Sequence, residues 1–385
     1  MVENKLLEQK QRVFKQAMSR QEPDYVPNLC FNGGASVAWA GKRIVDIITD
    51  PAAIVEAMTS VYEEMWIDVN LANACALTPR LEEAMTGCEI KYGPNGVTVE
   101  HTPLSPLKAT DYDAFIADPD WYINEVFIPQ KFPQLSGNKE ETKRVLKIYA
   151  EEQAYIFQLV SMINKVMLEK YGAASIMNMA ERVEPPLDMM FDYFRGFKGM
   201  LTDLRRQPAK VKAAIDKIWE TRCLPAMQRP VMDTTLWGVQ MPHIPAYLSP
   251  KQFDEYFWPH HKQQIERITN AGGKLWINLE GNWKHVWHHF LELPQDSMIL
   301  HVDDDDIIEA SKALGHHQII MGGINLVETR SMPFDKIKDS IKRVIDTCAP
   351  GGGFLICTNK CWVSPGDVNQ TLIDAYNFAH EYSHK

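Results

Sequence analysis

The sequence predicts an α/β fold, a (β/α)8 TIM barrel with an N-terminal helical elaboration, and three observations carry that expectation. The second half alternates short apolar runs with longer helical patterns, the arrangement of parallel strands joined by helices. The 385 residues exceed an average domain but suit one barrel with insertions, and 45% of them are apolar, enough for a large core. No stretch rich in Pro, Gly or Ser divides the chain, so residues 1–385 read as one barrel domain with residues 1–25 as a helical extension.

The elements follow in order. Lys5–Ser19 reads as a helix ending at the Pro-containing turn Glu22–Pro27. Val26–Asn32 suits the first barrel strand and Ile67–Ala76 the second. Glu89–Glu100 alternates around Gly93, Asn95 and Gly96, which predicts a hairpin. Lys139–Lys170 reads as one long helix or two abutting ones. Further strands are predicted at Ser175–Met179, Thr235–Val239, Lys274–Leu279, Ser297–Val302, Gln318–Gly322 and Gly353–Cys357. Helical patterns follow most of them, at Lys251–Asn270, Asp304–Leu314, Phe334–Thr347 and Val368–Tyr382. Gly272 and Gly273 make a good helix stop before Lys274.

The formal net charge is −10, without a long basic run, which argues against a nucleic acid or an anionic membrane as partner. Met1–Lys15 is charged throughout and has no apolar h-region, and no apolar stretch is long enough to span a bilayer. Seven scattered cysteines form no disulfide framework and suit a reducing compartment, so a cytoplasmic location is expected.

Barrels of this kind carry their chemistry at the C-terminal ends of the strands. Within Lys274–Asn282, Trp276, Asn278 and Glu280 share one face, and Leu275, Ile277 and Leu279 the other. The apolar set suits the outer helices, so Asn278 and Glu280 are expected to face the interior, with Gly281 ending the strand. A carboxylate there is costly unless it meets a cation or donors. On the next strand Ile299, His301 and Asp303 share a face, which puts His301 at the same end as Glu280. The two suit metal ligation or an acid–base pair, and equally a structural pair joined by a hydrogen bond. Cys357 or Cys361 would complete a metal site; Cys361, in the loop, is better placed, while Cys357 suits a buried apolar position. Asp303–Asp306 reads as a solvated loop and helix N-cap, because the spacing and glycine of a calcium loop are missing.

Phe31, Met179, Trp237 and His243 lie at or just beyond predicted strand ends and, with Asn278, are expected to line the substrate site at the barrel mouth. His243 follows Pro242 in a loop, where an exposed surface histidine is an equal reading. Trp283–Phe290, with His285, His288 and His289, reads as an amphipathic helix rather than a metal tract. The apolar stretch containing Met189, Met190, Phe191, Tyr193, Phe194 and Phe197 has core spacing, although such side chains also wall flat ligands. Gly33 and Gly34 follow a strand without any nucleotide fingerprint.

Several segments together resemble the uroporphyrinogen decarboxylase superfamily: Arg12–Pro27, Leu248–Pro259, Gly273–Asn282, Gly322-Gly323-Ile324 and Ala349–Phe354, in matching order over nearly the whole chain. The resemblance implies a (β/α)8 barrel. It disfavours the decarboxylase itself, which grips a polycarboxylate with an Arg-rich N-terminal motif; here Leu29–Ala35 has no Arg. The branch implied instead transfers methyl groups to or from corrinoid proteins. Its thiol-methylating members hold zinc with a His-x-Cys where this chain has Asn278 and Glu280. Glu280 and His301, with twenty residues between them, are similar to part of the zinc motif of aryl-ether O-demethylase methyltransferases. That motif places fourteen residues between its two glutamates, and Glu266 here leaves one fewer, so Cys361 is the expected third ligand.

The expectation is therefore a zinc-dependent methyltransferase that moves a methyl group from a methoxylated aromatic to the Co(I) of a separate corrinoid protein. Glu280, His301 and Cys361 would hold the metal. A methyltransferase for a methylamine, methanol or methyl-thiol donor, and a tetrapyrrole-binding barrel, are the rival readings.

Overall fold

The computed structural model describes residues 4–73, 79–86, 90–101 and 106–384, with the side chains of residues 4, 72, 73, 79, 82, 90, 101 and 178–180 outside the described set. Its strands are β1 (Leu29–Asn32), β2 (Val69–Asn73), β3 (Ile90–Tyr92), β4 (Val99–His101), β5 (Ala174–Ser175), β6 (Met177–Val183), β7 (Trp237–Gln240), β8 (Lys274–Leu279), β9 (Met298–Val302), β10 (Ile319–Ile324) and β11 (Phe354–Thr358). Strands β6 to β11 form a parallel sheet in sequence order, and β1, β2 and β5 form a second parallel sheet. Only Ile176 separates β5 from β6, and parallel bridges join Asn28 to Ile356 and Asn32 to Trp362. The hairpin β3–β4 is antiparallel and stands apart, where the Gly–Asn–Gly pattern predicts it.

Both faces of the long sheet are buried, which is why its strands read as apolar runs. Leu29, Val69, Leu71, Trp237, Val239, Trp276, Ile299, Ile319, Met321 and Leu355 pack into one cluster. The alternate residues, among them Leu275, Ile277, Leu279, Leu300 and Ile356, pack with the helices. The period of two thus sorts each strand between an inner and a helix-covered face.

Helices Trp258–Asn270, Ile307–Leu314, Phe334–Cys348 and Gln370–Ser383 follow β7, β9, β10 and β11. Asp306 caps the second of these by accepting from Ile308 N and Glu309 N, the N-cap role expected within the acidic run. Lys139–Tyr171 is one uninterrupted helix, capped by Asn138 and stopped by Gly172 in the left-handed region at φ 63°. The N-terminal helix Asn4–Met18 sends Ala17 and Met18 into the inner cluster beside the strand starts. Trp283–Phe290 is not an α-helix but part of a 3-10 helix, Lys284–Glu292.

Candidate functional site

Two strand-end groups of polar side chains meet the inner face. The first comes from the segments after β6, β7 and β8. Asp188 lies in the short helix Pro186–Met189, and its buried carboxylate accepts from His243 N at 2.9 and 3.2 Å and from Ile244 N at 2.9 Å. That holds the loop after β7 against the segment after β6. Asp192 follows one turn later and takes His243 Nδ1 at 3.0 and 2.9 Å. The other ring nitrogen, Nε2, stands 3.6 Å from Glu280 Oε2, beyond a hydrogen bond. Glu280 follows β8 directly, where Gly281, at φ 80°, turns the chain away and donates its N–H to Asp303 at 3.0 Å.

The charges of this group act on one another at close range. Burial, then the neighbouring Asp192 charge, raises Asp188 to about 7. Burial by itself would lower His243, but the bond to Asp192 and the charges of Asp192, Asp188 and Glu280 outweigh it and raise the imidazole to about 9. Asp188, Asp192 and His243 place ligand-type atoms within 4.8 Å of one another, a possible metal-binding group compatible with zinc. Its inner atoms are already committed, Asp188 to two backbone N–H groups and Asp192 to the imidazole. The bare position is Nε2, facing Glu280.

The second group lies deeper. His301 is fully buried, with its ring 5.8 Å from both Trp276 and Phe31. Its Nε2 lies 2.7 Å from Thr358 O, and since a carbonyl only accepts, Nε2 carries the proton. Burial holds the ring neutral, with its pKa lowered to about 4. Nδ1 is then a bare lone pair, and it has no partner. The register sets Asn278 beside His301, and Asn278 Oδ1 and Trp276 Nε1 are likewise unpartnered.

The pair formed by His243 and Glu280 fits zinc. A tetrahedral centre with bonds of about 2.0–2.2 Å to N and O spaces its ligand atoms about 3.4 Å apart. The 3.6 Å between His243 Nε2 and Glu280 Oε2 matches that edge. Each histidine has one nitrogen fixed by an acceptor, the arrangement in which metal-binding imidazoles are held; the other is a lone pair in His301, whereas His243, raised to about 9, would give up its Nε2 proton on binding a metal.

The sequence-expected residues separate into those brought together and those not. Glu280 meets His243, which is a partly exposed member of the site. Phe31 and Asn278 stand beside His301. Glu280, His301 and Cys361 do not gather: among the described residues, the cluster of three ligand-type side chains is Asp188, Asp192 and His243. Cys361 Sγ turns instead toward Gly33, 2.7 Å from where a Cβ would stand, and burial pushes its thiol far above the usual range. Cys357 is fully buried in the inner cluster. Trp237 is corrected: β7 begins at Trp237, two residues later than expected, so the indole pairs with the start of β8 and lies under Lys274 Nζ at 5.3 Å, away from the strand ends. The side chain of Met179 lies outside the described residues. Of the neighbouring histidine tract, His289 is buried between Asp254, at 2.7 Å, and Glu292, at 3.0 Å. Asp188 and Asp192 went unremarked because they are embedded in an apolar run; their four-residue spacing just after a strand was the available signal.

The family model for uroporphyrinogen decarboxylase (URO-D) matches residues 183–382, which include Asp188, Asp192, His243, Glu280 and His301. No curated protein matches the chain. Among the described residues, no helix is long and apolar enough to cross a membrane. The match spans more than half of the 385 residues and agrees with the parallel α/β architecture, and the chain therefore belongs to the uroporphyrinogen decarboxylase family.

Proposed function

We propose that β1, β2, the β5–β6 segment and β7 to β11 close into a (β/α)8 barrel, and that the chain is a zinc-dependent methyltransferase of an O-demethylase system. It would take the methyl group of a methoxylated aromatic and pass it to the Co(I) of a corrinoid carried by a partner protein. The observation that carries this reading is the bare His243 Nε2 placed 3.6 Å from Glu280, with the opposite ring nitrogen held by Asp192. Glu280 and His243 would hold the metal, and His301 would join them if its strand end draws closer, since in this structure the three ligand atoms do not gather.

An aryl methyl ether resists cleavage because aryloxide leaves poorly, and zinc bound there supplies a Lewis acid that offsets the charge on the departing oxygen. The partner's Co(I) would supply the nucleophile that accepts the methyl carbon, the C–O electron pair would leave on the aryl oxygen, and a proton from water would give the phenol. The chain's own residues orient the parts. Phe31 and Trp276, 5.4 Å apart at 78°, offer an aromatic corner for a flat ring. Trp276 Nε1 and Asn278 Oδ1 are free to bond its polar substituents. Asp192 fixes the imidazole of His243 in one tautomer. Decarboxylation of a polycarboxylate is disfavoured, because Asp188, Asp192 and Glu280 surround His243 and Leu29–Ala35 has no Arg.

Metal analysis of the purified protein, with a screen of methoxyarenes against a reduced corrinoid protein, tests this. The expected result is about one zinc per chain and methyl transfer seen as conversion of the corrinoid spectrum. Glu280→Ala and His301→Ala should lose zinc and transfer together. Full zinc and full activity in both variants would remove the metal assignment.

A further inference from the structure

Glu280 stands beyond the last residue of β8, and its side chain is half exposed. Among the described residues no hydrogen bond holds its carboxylate, so the backbone sets where it points. The peptide unit that follows is gripped at both ends. Glu280 O accepts from the buried Trp283 Nε1 at 3.0 Å, and Gly281 N donates to Asp303 Oδ2 at 3.0 Å. Gly281 O in turn accepts from Asp304 N at 3.2 Å. Asp303 is itself held by the two residues that follow β11. Lys360 Nζ lies 2.7 Å from Asp303 Oδ1 and 2.9 Å from Asp304 Oδ1, and Asn359 Nδ2 donates to Asp303 O at 3.2 Å. Strand β10 lies between β9 and β11, so these contacts cross its end and tie the loop after β8 to the loop after β11.

A carboxylate suits this post, because one oxygen takes the peptide N–H while the other meets the ammonium. The post also demands precision. A tetrahedral ion needs the edge between His243 and Glu280 to stay near about 3.4 Å, with metal–ligand distances kept within about 0.2 Å. We infer that Asp303 is a positioning residue for Glu280, acting through the Gly281 N–H, with Lys360 holding its carboxylate in place. The inference rests on the zinc reading for its purpose, but the placement of Glu280 can be tested without metal.

Asp303→Ala should fold, because Lys360 is 39% exposed on its side chain, keeps Asp304 and can turn to water. In a metal-free crystal structure of this variant, Glu280 should have left its place 3.6 Å from His243. In chelator competition the variant should hold zinc about 10–100-fold more weakly than the parent. Asp303→Asn, whose amide oxygen still accepts from Gly281, should recover most of that loss. Added to Glu280→Ala, Asp303→Ala should weaken zinc no further, since it acts only through the carboxylate already removed; a residue that merely supports the fold would give losses that multiply. An unmoved Glu280 in Asp303→Ala would overturn the inference. So would parent-like zinc retention, multiplied losses in the double variant, or Asp303→Asn no better than Asp303→Ala. Should Asp303→Ala not fold, Lys360→Met must displace Glu280 for the inference to stand. A parent that binds no zinc would remove the zinc reading, and the metal-free structures would still decide what places Glu280.

Discussion

Asp188 and Asp192 stand one helical turn apart, yet their carboxylates have different tasks. Asp188 is 5% exposed and serves two backbone N–H groups of the loop after β7. Asp188→Ala would leave both donors buried without a partner, at a cost of about 1–3 kcal/mol each. Urea unfolding should show that loss as a lower midpoint with an unchanged slope; a midpoint equal to the parent's would mean the loop is held by other contacts. Asp192 touches only the imidazole among its hydrogen-bond partners described above, so Asp192→Asn should fold with nearly the parent's stability. Its effect belongs to the metal, because an outer acceptor orients the ring and raises its basicity. Zinc retention should fall about 10–100-fold in chelator competition. An affinity equal to the parent's would separate Asp192 from any metal at His243.

Among the elements, the N-terminal helix shows how a segment outside the sheets is fastened to them. Arg20, just past that helix, donates from Nε to Asp296 Oδ1 at 2.6 Å, from Nη1 to Gly315 O at 2.5 Å and from Nη2 to Gln318 O at 3.1 Å. These acceptors lie in the turns before β9 and β10, so one guanidinium fork ties the helix to two strand starts. Lysine cannot reproduce a planar fork of donors. Arg20→Lys should therefore cost about 1.5–3 kcal/mol, and a thermal scan should show a drop of several degrees; an unchanged Tm would mean that Ala17 and Met18 anchor the helix unaided. The strands of the second half were legible because burial on both faces leaves apolar runs, and Lys274–Leu279 was bounded correctly. The first half was less so: β1 and β2 are short and carry asparagines, which blur the pattern. Trp237 was misplaced by a strand start set two residues early, enough to move it from mid-strand to the first position. Parity within a strand puts His301 on the face of Trp276, and the structure packs the two rings 5.8 Å apart. The partner of Glu280 was not legible, since His243 reaches it from a loop whose course is set by Asp188, a long-range contact without a periodic signal.

For the whole molecule, a metal held between side chains from different strand ends makes folding and binding one equilibrium. Glu280 follows β8, His243 follows β7 and His301 lies on β9, so a shared zinc would tie three consecutive strands at one end. A ligand that binds only the folded state stabilises it by about 2.7 kcal/mol when present at 100 times its Kd. The parent should thus melt several degrees higher with zinc than after chelation, the gain growing with zinc concentration. Glu280 is 52% exposed on its side chain, so removing it costs the core little. Glu280→Ala should therefore melt with the chelated parent and gain little or nothing from zinc. His301→Ala should differ from both, because a fully buried ring packed against Phe31 and Trp276 leaves a cavity, and its melting point should fall below that of the chelated parent. If zinc raised the Tm of Glu280→Ala as much as that of the parent, the ion would be binding away from β8, and the ligand set would have to be sought elsewhere in the fold.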